Sequence, residues 1–174
     1  MKNDNLSKTK LLTLAAMMCV ISTIFQCAPF FLTEFFVFLT MFSIVPIYII
    51  SEINPKYGMI SVAVTFFIVC MITVHEGCMF VFTNGLLGLS LGFCKYKKYS
   101  FIKSMVAVSL CLCTGMLILN FLIGINVLGV SSVSTGQLVG IIFGVSIIVA
   151  IVMLLIFKYL SKVFRVLMNF MERS

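Results

Sequence analysis

Charged side chains are scarce in this chain. Only 10% of its 174 residues are Asp, Glu, Lys or Arg, while 62% are hydrophobic. A water-soluble domain carries about 25% charged residues, because its surface must be covered by groups that water solvates. The mean hydropathy of +1.24 points the same way. The composition therefore excludes a water-soluble globular domain and favours an integral membrane protein.

Short motifs that mark common catalytic and cofactor sites are also missing. The sequence has no glycine-rich phosphate loop followed by lysine, no His-Glu-x-x-His metal pair and no Gly-x-Ser-x-Gly nucleophile turn. Nothing near the single histidine, His75, singles out a nucleophile. No charge lies in the middle of a long apolar segment, where ion-coupled carriers often place one. We therefore expect neither an enzyme nor a self-sufficient pump, and no cofactor or metal.

The long apolar segments predict an all-α integral membrane protein. A helix needs about 20 residues to cross a hydrocarbon core about 30 Å thick. Membrane β-strands alternate in polarity, whereas these segments are apolar on every face. A single transmembrane domain, residues 1–174, is predicted to end in a cytoplasmic amphipathic tail, residues 161–174. It forms a bundle of six spans: Lys10–Ala28, Phe35–Ser51, Gly58–Val74, Cys78–Cys94, Phe101–Gly124 and Gln137–Leu160.

Basic residues all fall on one side of this predicted bundle. Nine of the 12 Lys and Arg lie before span one, between spans two and three, between spans four and five, or after span six. The other three, Lys10, Lys103 and Lys158, lie in the turn of a span that adjoins one of these segments. Lys and Arg are enriched in the cytoplasmic loops of membrane proteins. Both termini are therefore predicted to be cytoplasmic.

Amides and carboxylates concentrate at the opposite, outer ends of the spans. His75 and Glu76 are expected in the loop joining spans three and four, and Gln26 near the outer end of span one. Polar side chains within spans usually face the bundle interior or a water-filled cavity, although they also bond neighbouring helices. Both interpretations stay open here. The candidate substrate-binding residues are Glu34, His75, Asn84, Asn120, Asn126 and Gln137.

The segment from Leu39 to Lys98 resembles part of a known transporter family. FLTMFSIVPIYIISEINPKYGMISVAV is similar to a second helix ending in Pro, followed by a Gly-containing turn into the third. TNGLLGLSLGFCKYKK is similar to an Asn-Gly-small-Gly fourth helix with a basic exit. These features resemble the S components of energy-coupling factor (ECF) transporters, which capture vitamins and related micronutrients in bacteria. They also resemble a loosely related group of uncharacterised bacterial membrane proteins with an S-component-like core.

The resemblance implies a fold, a function and partners. It implies a multi-pass S-component-like bundle in the bacterial plasma membrane that captures a small molecule from the extracytoplasmic side. The expected partners are the lipid bilayer, the substrate, the transmembrane coupling subunit of the ECF transporter and, through that subunit, its ATPases. No nucleic acid is expected, and this chain itself would bind no nucleotide.

A pair of small residues in the first span is the expected docking surface. The family carries Ala-x-x-x-Ala there, on the face that contacts the coupling subunit, and the matching positions in this chain are Ala15 and Cys19. Small side chains at this spacing let two helices approach closely, so the cysteine preserves the physics of the motif. The same spacing also arises in packing within one chain.

Glycines of the fourth span form a second face of small residues. Gly85, Gly88 and Gly92 recur at intervals of three and four residues. Positions three and four apart share one side of a helix. We predict that a neighbouring helix packs on this face.

Two other functions agree with the same sequence. One is a membrane scaffold of the MreD type in cell-wall synthesis, and the other is a stand-alone small-solute permease. A scaffold would co-purify with wall-synthesis proteins. A permease would move solute without coupling subunits.

Overall fold

The computed structural model describes residues 8–32, 34–125 and 135–171, with side chains over 8–32, 37–125 and 135–159. These residues form helices and no strand. In chain order the elements are α1 (Lys8–Leu32), a 3₁₀ helix (Glu34–Ser43), α2 (Ile44–Ile53), α3 (Pro55–Ile72), α4 (Val74–Met79), a first π-helical turn (Phe80–Gly85), α5 (Leu86–Tyr96), α6 (Phe101–Leu117), a second π-helical turn (Ile118–Ile123) and α7 (Thr135–Met171).

Several of these helical units are long enough to cross a membrane. Among the described residues, five units have the required length and apolar composition: Lys8–Leu32, Pro55–Ile72, Val74–Tyr96, Phe101–Ile123 and Thr135–Tyr159. The prediction of an all-helical membrane protein is confirmed. Several long apolar helices are what a multi-pass membrane protein requires.

The predicted span Phe35–Ser51 has a different backbone from the other spans. Its first half belongs to the 3₁₀ helix and its second half to α2. A 3₁₀ helix rises about 2.0 Å per residue, against 1.5 Å for an α-helix. The 20 residues from Glu34 to Ile53 therefore extend about 35 Å, although the apolar part, Val37–Ile53, is shorter than the other spans.

Single residues connect α2 to α3 and α3 to α4. Asn54 has extended backbone angles, its side chain accepts a hydrogen bond from the Lys56 backbone N–H at 3.0 Å, and Pro55 occupies the first helical position. This is a favoured way to begin a helix. Thr73 makes the second connection, also with extended angles.

The prediction of a loop at His75 and Glu76 is therefore wrong. Helix α4 already begins at Val74 and continues through the first π-helical turn into α5. Thr73 and Glu76 form the Thr-x-x-Glu pattern that starts many helices. The sequence therefore contains a signal for the start of this helix. The pattern of apolar residues instead predicts the break between spans three and four about three residues too late.

Helix α5 is followed by a left-handed residue, Lys98, with φ of 54°. The Tyr99 N–H donates to the Cys94 carbonyl and the Lys98 N–H to the Lys95 carbonyl, each at 3.0 Å. This pair of hydrogen bonds is the Schellman motif that closes many helices. It reverses the chain between α5 and α6 at the basic end of the bundle.

The glycine face of α5 packs against α2, as predicted. A Cβ at Gly88 would lie 2.9 Å from the Ile44 carbonyl oxygen, and one at Gly92 would lie 2.8 Å from the Tyr48 carbonyl oxygen. Side chains larger than hydrogen would force the two backbones apart. Gly85 instead approaches Val62 of α3.

Helix α7 is the least enclosed of the long helices. Only 17% of its apolar window is buried, against 44% for Val74–Tyr96. It packs along α6, and the Phe157 ring lies 4.4 Å from the Tyr48 ring of α2, between centroids. The backbone stays helical to Met171, so the predicted tail continues the helix; its placement on the membrane surface stays a prediction.

Candidate functional site: a buried polar network

A buried amide, Gln26 of α1, is the centre of a polar network in an otherwise apolar bundle. It is 2% exposed. Its Oε1 accepts hydrogen bonds from the Ser43 hydroxyl and from the Asn84 Nδ2, each at 3.1 Å. Its Nε2 donates to the Glu76 carboxylate, also at 3.1 Å. One side chain thus joins α1 to the 3₁₀ helix, α4 and the first π-helical turn.

The network also pairs backbone carbonyls of the 3₁₀ helix. Asn84 Nδ2 donates its second hydrogen to the Thr40 carbonyl at 3.0 Å. The Ser43 hydroxyl lies 2.6 Å from the same carbonyl, so its one hydrogen is shared between Thr40 and Gln26. The Ser22 hydroxyl of α1 donates to the Ser43 carbonyl at 3.0 Å. These bonds hold the 3₁₀ helix against α1. Carbonyl oxygens near the end of a helix are left without partners inside it, and here side chains donate to them.

The first π-helical turn places Asn84 in this network. A π turn widens the helix locally, and such turns are frequent at functional sites. The widened backbone pushes the Phe82 carbonyl oxygen against α6, where a Cβ on Gly115 would overlap it. Only glycine leaves space for this approach. Gly115 thus supports the turn that carries Asn84.

Glu76 contributes a carboxylate with no basic partner in the described part of the chain. It is partly exposed, lies in the first turn of α4 and forms no ion pair there. Carboxylates are favoured near helix N-termini, because unpaired N–H groups create a positive field. That field and the Gln26 N–H stabilise the carboxylate in place of a lysine or arginine.

The basic side chains lie at the other end of the helices. Lys8 and Lys10 begin α1, Lys56 begins α3, and Lys95 ends α5. Since α4 and α5 form one helical unit from Val74 to Tyr96, Glu76 and Lys95 are separated by about 19 residues, or roughly 28 Å along the helix axis. The network therefore lies at the opposite end of the bundle from these lysines. The sequence has no lysine or arginine in the segments predicted at that end.

Of the four candidate binding residues whose side chains the structure describes, only Asn84 lies in the network. Asn120 lies in the second π-helical turn, and its amide donates to the Met116 carbonyl of its own helix at 3.4 Å. His75 is exposed on α4, and Gln137 is exposed in the first turn of α7. Glu34 begins the 3₁₀ helix, but its side chain lies outside the described part, as does the whole of Asn126.

Gln26, Ser43 and Glu76 were not among the candidates, although they form most of the network. Glu76 was missed because it was expected in a solvated loop. Gln26 offered a signal, since an amide within an apolar span usually faces the interior. Ser43 offered none, because serine in a span commonly bonds its own helix backbone.

The docking pair Ala15 and Cys19 lies inside the bundle. Ala15 is 3% exposed and Cys19 is 5% exposed. The Cys19 thiol lies 3.5 Å from the Ser61 carbonyl oxygen of α3. Within this chain, the small-residue face of α1 therefore packs on α3. Its predicted role toward a coupling subunit stays a prediction.

Metal-binding side chains do not cluster in the described residues. No group of three or more His, Cys, Asp and Glu side chains comes close enough there to hold an ion. The described hydrogen-bond partner of Glu76 is the Gln26 amide. Comparison of the chain with protein families, curated proteins and solved structures gives no match.

Proposed function

We propose that this protein is the substrate-capture subunit of an ECF-type importer of a vitamin or related small molecule. The observation that carries the proposal is the network of Gln26, Ser43, Glu76 and Asn84 at the end of the bundle that lacks lysine and arginine. Small-molecule sites combine apolar walls with a few convergent polar groups. A polar cluster confined to one end of an apolar bundle supplies that combination.

The proposal includes the topology of the bundle. The unit from Glu34 to Ile53 is the second of six spans, because its extension of about 35 Å matches a hydrocarbon core about 30 Å thick. The end with the lysines faces the cytoplasm. The network then opens toward the extracytoplasmic side of a bacterial plasma membrane, where an importer meets its substrate.

Transport itself requires partners in this proposal. The chain captures the solute, and a transmembrane coupling subunit with its ATPases supplies the energy. Docking through Ala15 and Cys19 requires α3 to separate from α1, because α3 covers this face. The adjacent Ala16 is exposed, about 100° around α1 from Ala15, and offers a small-residue contact without that movement.

Affinity purification from bacterial membranes tests the function. We expect the tagged chain to recover the coupling subunit and its ATPases, and to accumulate solute in liposomes only together with them and ATP. Solute uptake by the chain alone would identify a permease. Recovery of wall-synthesis proteins without coupling subunits would identify a scaffold. Either result would contradict the proposal.

A further inference from the structure

The unused hydrogen-bonding atoms of the network describe the solute that would fit there. We propose, building on the capture function above, that the solute is a small organic cation whose positively charged group binds the Glu76 carboxylate beside Asn84. Three features favour such a cation: the remaining acceptors, the charge of this end of the bundle, and the donor set around Glu76.

The remaining capacity of the network is mainly that of an acceptor. Asn84 uses both N–H groups, toward Gln26 and Thr40, and its Oδ1 has no partner among the described residues. One Glu76 oxygen accepts from Gln26, and the other is unpaired within the described residues. Neither of these two oxygens is fully buried. In the described part, the side-chain atoms that are both fully buried and unpaired belong to Ser51, Ser61 and Thr65. An incoming group must therefore bring hydrogen-bond donors or positive charge.

The electrostatic environment favours a cation. No Lys or Arg occurs between Lys10 and Lys56, between Lys56 and Lys95, or between Lys103 and Lys158. Residues 126–134, which lie outside the described part, also contain none. A partly buried carboxylate without a counter-charge attracts positive charge, and the low dielectric of the membrane strengthens this attraction. An anionic solute would meet repulsion from Glu76 and no lysine or arginine.

The donor set favours an organic cation over a metal ion. Calcium takes six to eight oxygen ligands, and magnesium prefers six in octahedral geometry. Here one carboxylate and one free amide oxygen are available, since Gln26 Oε1 already accepts two bonds. An ammonium-type group has up to three donors and needs no closed coordination shell. The Glu76 carboxylate and the Asn84 Oδ1, on two side chains that both bond Gln26, supply acceptors for it.

Equilibrium dialysis provides the test. The full chain, in lipid nanodiscs at pH 7, is dialysed against the fraction of a bacterial extract below 1 kDa, and retained compounds are quantified by mass spectrometry. Glu76→Gln removes the charge but keeps an oxygen that accepts from Gln26, so the fold is retained; thermal unfolding checks this. Glu52→Gln is the matched control, since Glu52 is a partly buried carboxylate at the basic end.

We expect the compounds retained by the unaltered protein to be positively charged. Glu76→Gln should reduce their retention at least about tenfold, because hydrogen bonds to a charged group are worth about 1.5–3 kcal/mol. Glu52→Gln should retain them within about twofold. Retention of neutral or anionic compounds, or equal retention of cations by Glu76→Gln, would overturn the cation assignment and leave capture intact. Retention no greater than that of empty nanodiscs would overturn both.

Discussion

At the scale of single residues, Gln26 connects parts of the chain that are distant in sequence. It holds Ser43, Glu76 and Asn84, which lie 17, 50 and 58 positions away in sequence. A hydrogen bond within a membrane protein contributes about 0.6 kcal/mol on average, whereas a buried polar group left unpaired costs about 1–3 kcal/mol. The central position of Gln26 means that its loss would leave several groups unpaired at once.

Replacing Gln26 with leucine should lower the free energy of unfolding by about 2–4 kcal/mol, because Ser43, Glu76 and Asn84 would all lose a partner. Thermal or denaturant unfolding in detergent measures this change. Asn120→Leu is the matched amide control, since within the described residues Asn120 bonds only its own helix, at 3.4 Å, and should cost less than about 1 kcal/mol. Equal losses in both variants would show that the network has no special role in stability.

Asn84 allows structural and ligand roles to be separated. If it touches the captured solute, Asn84→Ala should weaken capture by about tenfold or more per folded molecule, while Asn120→Ala changes it less. Equilibrium dialysis with a retained solute measures affinity, and thermal unfolding of the same preparation measures stability. A fall in stability with unchanged affinity would assign Asn84 to helix packing alone.

At the scale of helical elements, the two π turns distinguish this bundle from a set of regular helices. Each turn carries one of the amides that the sequence singles out, Asn84 or Asn120. The first turn depends on close contact with α6, because the Phe82 carbonyl occupies the space that a side chain at position 115 would need. Two neighbouring helices thus determine the local backbone together.

A methyl group at Gly115 should therefore be costly. Alanine is the better helix former by about 1 kcal/mol, yet Gly115→Ala should destabilise the protein by about 1–3 kcal/mol through overlap with the Phe82 carbonyl. Gly144→Ala is the control, since a Cβ there meets no atom within 4 Å; it should be neutral or slightly stabilising. Unfolding measurements that rank the two variants in the opposite order would contradict this contact.

The buried and exposed faces of α1 can be compared at adjacent alanines. Ala15→Trp should lower the unfolding temperature, because Ala15 lies against α3 with 3% exposure. Ala16→Trp should leave it nearly unchanged, because Ala16 is exposed. If Ala15→Trp instead unfolds normally and loses only its coupling subunit, α1 docks through its Ala15 and Cys19 face, as the sequence resemblance implies.

These elements also show what a sequence can reveal about such a molecule. Long apolar runs locate the helices, because each must satisfy its own backbone within lipid. Asn84 was predictable from its depth, and the glycine face of α5 from its spacing. The partner of Ala15 and Cys19 was not predictable, because a row of small residues fits any close neighbour. The bond from Gln26 to Glu76 depends on how α1, α3 and α4 are arranged, which no local pattern specifies.

At the scale of the whole molecule, charge separates the two ends of the bundle. Cysteine labelling in a cysteine-free background tests the orientation that follows. His75→Cys and Lys97→Cys place exposed thiols at opposite ends of the Val74–Tyr96 unit, which extends about 34 Å. We expect a membrane-impermeant reagent to label position 75 on intact cells and position 97 only after permeabilisation. The reverse pattern would turn the network toward the cytoplasm.

The order of the network along the chain has a consequence for how the protein is made. Gln26, Ser43, Glu76 and Asn84 all lie within the first 84 residues. At about 5–20 residues per second, a ribosome needs roughly 5–18 s more to synthesise the 90 residues that follow. The nascent chain can therefore bring Gln26, Ser43 and Glu76 together before α7 is synthesised, whereas Asn84 joins them once α6 supports its π-helical turn. A substitution at Gln26 would then leave unpaired polar groups in contact with lipid while translation is still under way. It would also leave them accessible to the proteases that degrade misfolded membrane proteins.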